Sequence, residues 1–262
     1  MLGAIIGDVV GSRFEFNNIK TKDFELITEE SCFTDDTVLT IAVMDWCCHC
    51  DNLSDREAAR FLQKWARKYP NAGYGGRFYF WKDEEDPKPY NSCGNGSAMR
   101  ISPVGWMDEY SDMKMACDII TRVTHNHPEG MKGALVTSTM IYKALHGACK
   151  EELADYALAM YPEIAELDYD TLRRTYKHEE EICQKTVPQA IYCFLISSSF
   201  EDCLRTTISI GGDCDTTAAI SCAIAEAYYN EIPQDLVEKV KKKLTPEMLQ
   251  VISDYEWQLN MR

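Results

Sequence analysis

Alternating apolar and polar residues of the kind that build strands are scarce in this sequence, so a sheet-built fold is the first class to set aside. Cations are also few. Lysine and arginine number 27 against 42 aspartates and glutamates, a net charge of −15. Such a surface repels the phosphates of nucleic acid and of anionic lipid, which excludes a general affinity for either. A pocket for one small anion remains open, because local donors override a background more than a Debye length away. No segment reaches the roughly 18 uncharged apolar residues of a membrane span. The first residues, Met-Leu-Gly-Ala-Ile-Ile-Gly-Asp8, lack a basic flank and are interrupted by Asp8, so they do not read as a signal peptide. No Gly/Ser- or Pro-rich linker and no shift of composition divides the chain. One domain over residues 1–262 is expected, with a monomer as the default.

Cysteine, by contrast, is plentiful, at twelve. Without a secretion signal these read as reduced thiols of a cytoplasmic protein. Cys47-Cys-His-Cys50 resembles a set of metal ligands, yet it falls at the end of an expected helix and has no second matching pair. Cys193 and Cys222 lie in apolar runs, where cysteine acts as a small hydrophobe.

Hydrophobic residues make up 45% of the chain, enough for a sizeable core, and their dominant period is helical. Ser54-Asp-Arg-Glu57 has the form of a capping box, with Leu53 and Ala58 placed to staple the start of a helix. Ala58, Phe61, Leu62, Trp65 and Tyr69 then repeat on one face. Pro233 opens a helix with Leu236, Val237, Val240 and Leu244 inward. Thr245-Pro-Glu247 caps a last one carrying Leu249, Ile252 and Tyr255. Further helices are expected at about 2–12, 35–49, 112–122, 130–147, 151–160, 187–197, 200–208 and 216–229. Gly3, Gly7 and Gly11 are spaced to let two helices approach closely. The stretch from Pro70 to Pro103, rich in Gly, Pro, Asn and Asp, reads as irregular loop. Its aromatics, Tyr74, Phe78, Tyr79, Phe80, Trp81 and Tyr90, argue that the loop is ordered, and its length that it is functional. The fold class is therefore all-α, a compact multi-helix domain with a site built from loops at one end.

Two acidic stretches stand where loops enter helices. Phe33-Thr-Asp-Asp-Thr37 precedes Val38–Met44, and Ile210-Gly-Gly-Asp-Cys-Asp-Thr-Thr217 precedes Ala218–Ala225. A carboxylate at a helix start is stabilised by about 0.3–1 kcal/mol, and Asp and Thr are ordinary N-caps. A cap, however, needs one oxygen. Each stretch offers four oxygen-bearing side chains, which together suit Mg²⁺ or Mn²⁺, singly or as a pair, and suit zinc or an EF-hand calcium poorly. Asn91-Ser-Cys-Gly-Asn-Gly-Ser-Ala-Met-Arg100 has glycines that permit positive φ and a close backbone, the makings of an anion nest, with Arg100 as a fixed charge. Thr124-His-Asn-His127 offers two histidines that could ligate metal, though such a pair more often makes hydrogen bonds.

Gly3-Ala-Ile-Ile-Gly-Asp-Val-Val-Gly-Ser-Arg-Phe-Glu15, Phe33-Thr-Asp-Asp-Thr37, Gly94-Asn-Gly-Ser-Ala-Met-Arg100, Thr124-His125, Thr186-Val-Pro-Gln-Ala190 and Gly211-Gly-Asp-Cys-Asp-Thr216 occur together and in order. With these motifs the chain resembles the ADP-ribosylglycohydrolase family, which includes the dinitrogenase reductase-activating glycohydrolases, from residue 3 to about 225. The resemblance implies an all-helical fold around two Mg²⁺ ions, with Mn²⁺ as the alternative, that hydrolyses the bond at C1″ of the distal ribose of ADP-ribose. Thr34, Asp35 and Asp36 would bind one metal and Asp213, Asp215 and Thr216 the other, Asp215 and Thr34 bridging. Glu15, Asp35 and Asp36 would form the catalytic set, Glu15 as acid/base. Ser92, Gly94, Asn95, Gly96 and Met99 would lie along the diphosphate and distal ribose, with His125 on the ADP-ribose side. Chelation of a hard cation by the ribose hydroxyls would fix the sugar, and carboxylates would stabilise an oxocarbenium-like transition state.

Cys214 stands where many relatives carry threonine, which implies a position facing outward or behind the ligands. Cys93 takes a position that is aromatic in some relatives, so stacking on adenine would fall to Tyr74, Tyr90 or Tyr176. No motif of the family falls between about 150 and 185. The leaving group stays open between an arginine guanidinium, a serine oxygen, a nucleic-acid end and a small conjugate such as O-acetyl-ADP-ribose. Two alternative functions stay open as well: a non-catalytic ADP-ribose-binding or structural relative, and a metal-dependent pyrophosphohydrolase.

Overall fold

The computed structural model describes residues 1–177 and 181–261. Among them the first half of the chain forms α1 (Leu2–Gly11), α2 (Asp35–His49), α3 (Asp55–Lys68), α4 (Gly76–Trp81), α5 (Gly96–Met99), α6 (Tyr110–Arg122) and α7 (Pro128–Leu145). The second half forms α8 (Lys150–Met160), α9 (Tyr169–Thr175), α10 (Cys183–Ile196), α11 (Phe200–Ile210), α12 (Cys214–Tyr229), α13 (Gln234–Lys241) and α14 (Pro246–Asn260). Three 3₁₀ segments, Ser12–Phe14, Ser102–Trp106 and Pro162–Glu166, join them. No strand occurs among the described residues, only an isolated antiparallel bridge between Gly94 and Ile182. None of the described helices is long and apolar enough to cross a membrane.

The expected helices are present, most within two residues of their expected ends. Caps set those ends. Ser54 Oγ accepts from Glu57 N, Thr245 Oγ1 accepts from Met248 N, and Thr34 Oγ1 accepts from Asp36 N. The box at Ser54 is only half made: the Glu57 carboxylate turns to Arg60, and Leu53 lies exposed instead of stapling. The helix expected at 187–197 begins earlier, at Cys183, with Pro188 six residues in. Pro188 lies beyond the first turn, so the helix gives up the bond that an N–H at this position would donate to the Gln184 carbonyl. The loop expected from Pro70 to Pro103 contains α4, α5 and the start of a 3₁₀ segment. Tyr74, Phe78 and Trp81 anchor it in the core, while Tyr79 and Phe80 stay exposed. The four Cys47–Cys50 residues form no metal-binding group; His49 pairs with Asp45 at 2.9 Å.

The main core is a cluster in which α12 is central: Ala218, Ala219, Ile220, Ala223, Ile224 and Ala225 are all inaccessible. A smaller cluster of Leu172, Tyr176, Cys193 and Ile210 lies under α9. Helices α1 and α12 pack backbone against backbone, and the glycine spacing explains it. A Cβ added at Gly3 would lie 2.2 Å from the Cys222 carbonyl oxygen, and one at Gly7 2.3 Å from that of Ala218. One at Gly11 would lie 2.5 Å from Asp215 Cα. The last of these distances is functional, because it holds the end of α1 against the first turn of α12, where the acidic stretch is.

Gly7→Ala is therefore expected to force the two backbones apart, at about 1–3 kcal/mol for overpacking. That corresponds to a fall in Tm of at least about 2 °C for a chain of this size. Gly75→Ala, where an added Cβ meets nothing within 4 Å, serves as control and should melt like the parent. Equal melting of both variants by differential scanning calorimetry contradicts the account of this contact.

Candidate active site

A cleft of about 650 Å³ opens where the ends of α1, α2, α5 and α12 meet. One wall is acidic. It carries Glu15 after α1, Thr34, Asp35 and Asp36 at the start of α2, and Asp213, Asp215 and Thr216 at the start of α12. The lining also includes Ser92, Gly94, Asn95, Gly96 and Met99, together with His125 and Tyr90. The residues singled out in the sequence thus line one cavity, although about 180 positions separate the two acidic stretches. Phe16, 76% exposed, stands at the rim.

Thr34 is the N-cap of α2, so the capping role and the site role coincide there. Asp213 occupies the N-cap position of α12 but makes no side-chain cap bond. Its carboxylate instead accepts from Asn95 Nδ2 at 2.6 Å. The same Nδ2 donates to Thr186 Oγ1 at 3.1 Å, which explains why Thr186 belongs with these motifs. Thr216 Oγ1 donates to Asp36 Oδ2 at 3.0 Å, joining the two acidic stretches directly. Met99 packs behind that contact, its sulfur 4.0 Å from Thr216 Oγ1.

Two residues that organise the site escaped the sequence reading. Asp8, inaccessible on α1, accepts from Thr34 N and Thr37 N, each at 3.0 Å. It also accepts from the hydroxyls of Thr34, at 2.8 Å, and Thr37. It thereby adds to the Thr34 cap and pins the start of α2 to α1. An acidic residue within an apolar run was the available signal. Asn18 clamps the other side. Its Nδ2 donates to the carbonyls of Phe14, Glu15 and Gly212 at 2.8–3.0 Å, and its Oδ1 accepts from Gly212 N at 2.8 Å. That turn needs its glycines, since Gly211 and Gly212 have φ of +75° and +76°.

The electrostatics are unfavourable by construction. Asp36 and Asp215 are 2% and 3% exposed. Burial, and next the neighbouring carboxylates, push both well above the usual carboxylate range. Half-buried Asp35 is displaced the same way, by burial first and then by Asp8, Asp213 and Glu15. Asp36 Oδ1 and Asp215 Oδ1 are buried with no hydrogen-bond partner. Buried polar atoms are rarely left so, and each asks for a ligand. One oxygen each from Glu15, Asp213 and Asp215 lie within 4.8 Å of one another, the only group of metal-binding side chains among the described residues. A compact set of hard oxygen donors with unmet buried lone pairs fits a hard divalent cation.

Several expectations need correction. Gly94 and Gly96 do not adopt positive φ. The N–H groups of Gly94 and Asn95 are already taken by Ser92 Oγ at 3.1 Å and the Glu181 carbonyl at 3.2 Å. Closeness is what Gly96 supplies: an added Cβ would lie 3.4 Å from His125 Nε2. Arg100 is buried at the back of the cleft, donating to the Ile120 carbonyl and to Thr124. His127 caps α7 by accepting from Glu129 N at 3.1 Å and stands outside the cleft lining. Cys214 is buried against α1, 3.7 Å from the Gly11 carbonyl, so it sits behind the ligands and does not face outward. Of the three tyrosines, Tyr90 alone lines the cleft. Tyr74 stacks on Phe78, and Tyr176 is buried under Gly212 with its hydroxyl on the Lys185 carbonyl.

Because burial and neighbouring carboxylates disfavour the charge of Asp215, Asp215→Asn is expected to raise the Tm of the cation-free protein by a few degrees, as loss of a functional charge from a destabilised site commonly does. A fall in Tm under the same conditions contradicts it.

The chain matches the family model described as ADP-ribosylglycohydrolase over residues 1–260. The ADP-ribosylhydrolase ARH3 of Bos taurus is 26% identical, over 89% of this chain and 85% of its own length. The ADP-ribosylarginine hydrolase Tri1 of Pseudomonas putida is 26% identical, over 92% and 72%. The ADP-ribosyl-dinitrogen reductase glycohydrolase of Rhodospirillum rubrum is 24% identical, over 94% and 90%. Among solved structures, an ADP-ribosylglycohydrolase-related protein complex aligns with a TM-score of 0.70 at 23% identity, covering 97% of this chain and 94% of its own, which speaks to the fold. The helices, the order of the motifs and a match along nearly the whole chain agree: the protein belongs to the ADP-ribosylglycohydrolase family of hydrolases.

Proposed function

We propose that this enzyme, a single domain over residues 1–262, hydrolyses the C1″ glycosidic bond of ADP-ribose conjugates and releases ADP-ribose. The convergence of Glu15, Asp35, Asp36, Asp213 and Asp215 in one cleft, whose lining also includes Gly94, Asn95 and Gly96, carries the reading. Glu15, Asp213 and Asp215 would hold one Mg²⁺ and Thr34, Asp35, Asp36 and Thr216 a second, with Asp215 shared and Mn²⁺ as a substitute. When bound, such cations offset the carboxylate repulsion, fix the vicinal ribose hydroxyls and acidify water nearby.

The chain's own groups do the rest. Ser92, Gly94, Asn95, Gly96 and Met99 confine the distal ribose and diphosphate, which turns C1″ toward the acidic wall. Glu15, half-exposed, accepts a proton from the attacking water and, as acid/base, returns it to the leaving atom, which departs with the bonding pair, while Asp35 and Asp36 face the positive charge that grows on the ring as that bond breaks. Asn95 and Asp8 keep these carboxylates in place. Tyr90 is the aromatic surface available to adenine. Twelve free thiols support a cytoplasmic setting.

Asp36→Ala and Asp215→Ala are each expected to lower release of ADP-ribose by more than about 100-fold, as removal of electrostatic stabilisation at a reacting centre does, with circular dichroism unchanged. Near-normal rates in both contradict the assignment. Chromatography of the products separates the readings further: free ADP-ribose supports glycosidic cleavage, whereas AMP identifies a pyrophosphohydrolase.

Acidity supplies a second test. Because Asp36 and Asp215 have folded-state pKa values above the unfolded value, the cation-free fold keeps protons that the unfolded chain has lost. It is therefore destabilised by these groups as pH rises from about 4 through neutrality. Mg²⁺ competes with those protons. The gain in Tm on adding Mg²⁺ is expected to be largest at neutral pH and to shrink toward pH 5; a gain that grows with acidity contradicts this.

A further inference from the structure

His125 lines the cleft beside Gly94 and Gly96, and its surroundings decide which ring nitrogen carries a proton. Arg100 Nη2 donates to Thr124 Oγ1 at 2.7 Å. Thr124 Oγ1 is in turn 2.7 Å from His125 Nδ1. Arginine has no acceptor, so Thr124 must accept from it and retains one proton of its own to give. Two destinations exist: His125 Nδ1, or the Thr121 carbonyl at 3.4 Å. That carbonyl already accepts from the backbone N–H groups of Thr124 at 3.2 Å and His125 at 2.9 Å, which uses both its lone pairs. The hydroxyl proton therefore goes to Nδ1, and Nδ1 is an acceptor.

A neutral ring with Nδ1 as acceptor carries its hydrogen on Nε2. Nε2 makes no hydrogen bond among the described residues, and it faces the cleft, since Cβ atoms added at Gly96 and Gly94 would lie 3.4 and 3.6 Å from it. Burial, and next the charge of Arg100, hold the imidazole well below its ordinary pKa, so protonation does not blur the choice. The Arg100 Nε and Nη1 groups have no partner of their own. The guanidinium thus acts on the cleft as a buried field source and through Thr124, not by an ion pair.

We propose that Arg100 and Thr124 are positioning residues that lock His125 in its Nε2–H form, so that it presents one fixed donor to an anionic oxygen of the substrate's diphosphate. The choice of target follows from the chemistry of the cleft lining. The acidic group offers acceptors, which suit ribose hydroxyls. A fixed N–H donor beside Gly94 and Gly96 suits phosphate oxygens, which can only accept. This rests on the ADP-ribose reading of the cleft given above.

The test is long-range ¹H–¹⁵N NMR of the histidine rings in the full chain, with His125→Gln to assign the signal, together with calorimetric titration of ADP-ribose. Wild type and Thr124→Ser are expected to show the Nε2–H tautomer at neutral pH. Thr124→Val, of the same shape but without the hydroxyl, is expected to lose the single tautomer and to bind ADP-ribose about tenfold more weakly, the effect of one buried hydrogen bond. Recovery in Thr124→Ser excludes a merely structural effect. An Nδ1–H or doubly protonated ring in wild type overturns the proposal without recourse to any variant, and so does a Thr124→Val protein unchanged in both measurements. Wild type with the expected tautomer but no affinity for ADP-ribose refutes the cleft reading on which the donor's target depends, and separates that failure from failure of the lock.

Discussion

Asp36 and Asp215 lose their water within reach of Asp8, Asp35, Asp213 and Glu15, and each of these charges raises the free energy of the others. Desolvation of a carboxylate costs several kcal/mol unless it is paired. The fold accepts this and spreads the restraint over neighbours. Asp8 takes four donors from the start of α2, Asn95 holds Asp213, and Thr216 ties Asp36 to α12. What is left over is an unpartnered oxygen on each of Asp36 and Asp215, the part that a cation would complete on the proposed reading. A site of this kind is bound to be a weak point of the cation-free protein and a strong point of the loaded one.

Delivery of these groups depends on backbone contact between α1 and α12. Three glycines four residues apart let α1 lie directly on the carbonyls of α12. Because Asp8 and Glu15 belong to α1 and its continuation, while Asp213 and Asp215 open α12, the close crossing sets the separation of the two acidic groups. Core packing and site geometry are here one constraint.

Much of this was legible in the sequence. The glycine spacing, the caps at Ser54 and Thr245, and the surplus of oxygen at Thr34–Thr37 and Asp213–Thr217 each carry a local signature that the fold retains. Roles made by tertiary contact were not legible. Nothing near Asn18 shows that it will bridge Glu15 and Gly212, and nothing in the spacing of Thr124 and His125 shows that Arg100 will lie beneath them. Short helices such as α4 and α9 escaped because six or seven residues give too little periodicity to stand out, and α4 lies in a stretch rich in turn residues as well. The expected nest at Gly94–Gly96 failed for a different reason: its N–H groups are spent on Ser92 and on the chain before α10.

The central claim is that carboxylates from both ends of the chain form one cage for hard divalent cations. Anomalous scattering from crystals soaked in Mn²⁺ tests it most directly. The account predicts manganese enclosed by Glu15, Asp213 and Asp215, and a second site against Thr34, Asp35, Asp36 and Thr216. Manganese bound elsewhere, with that wall left empty at millimolar supply, would contradict it.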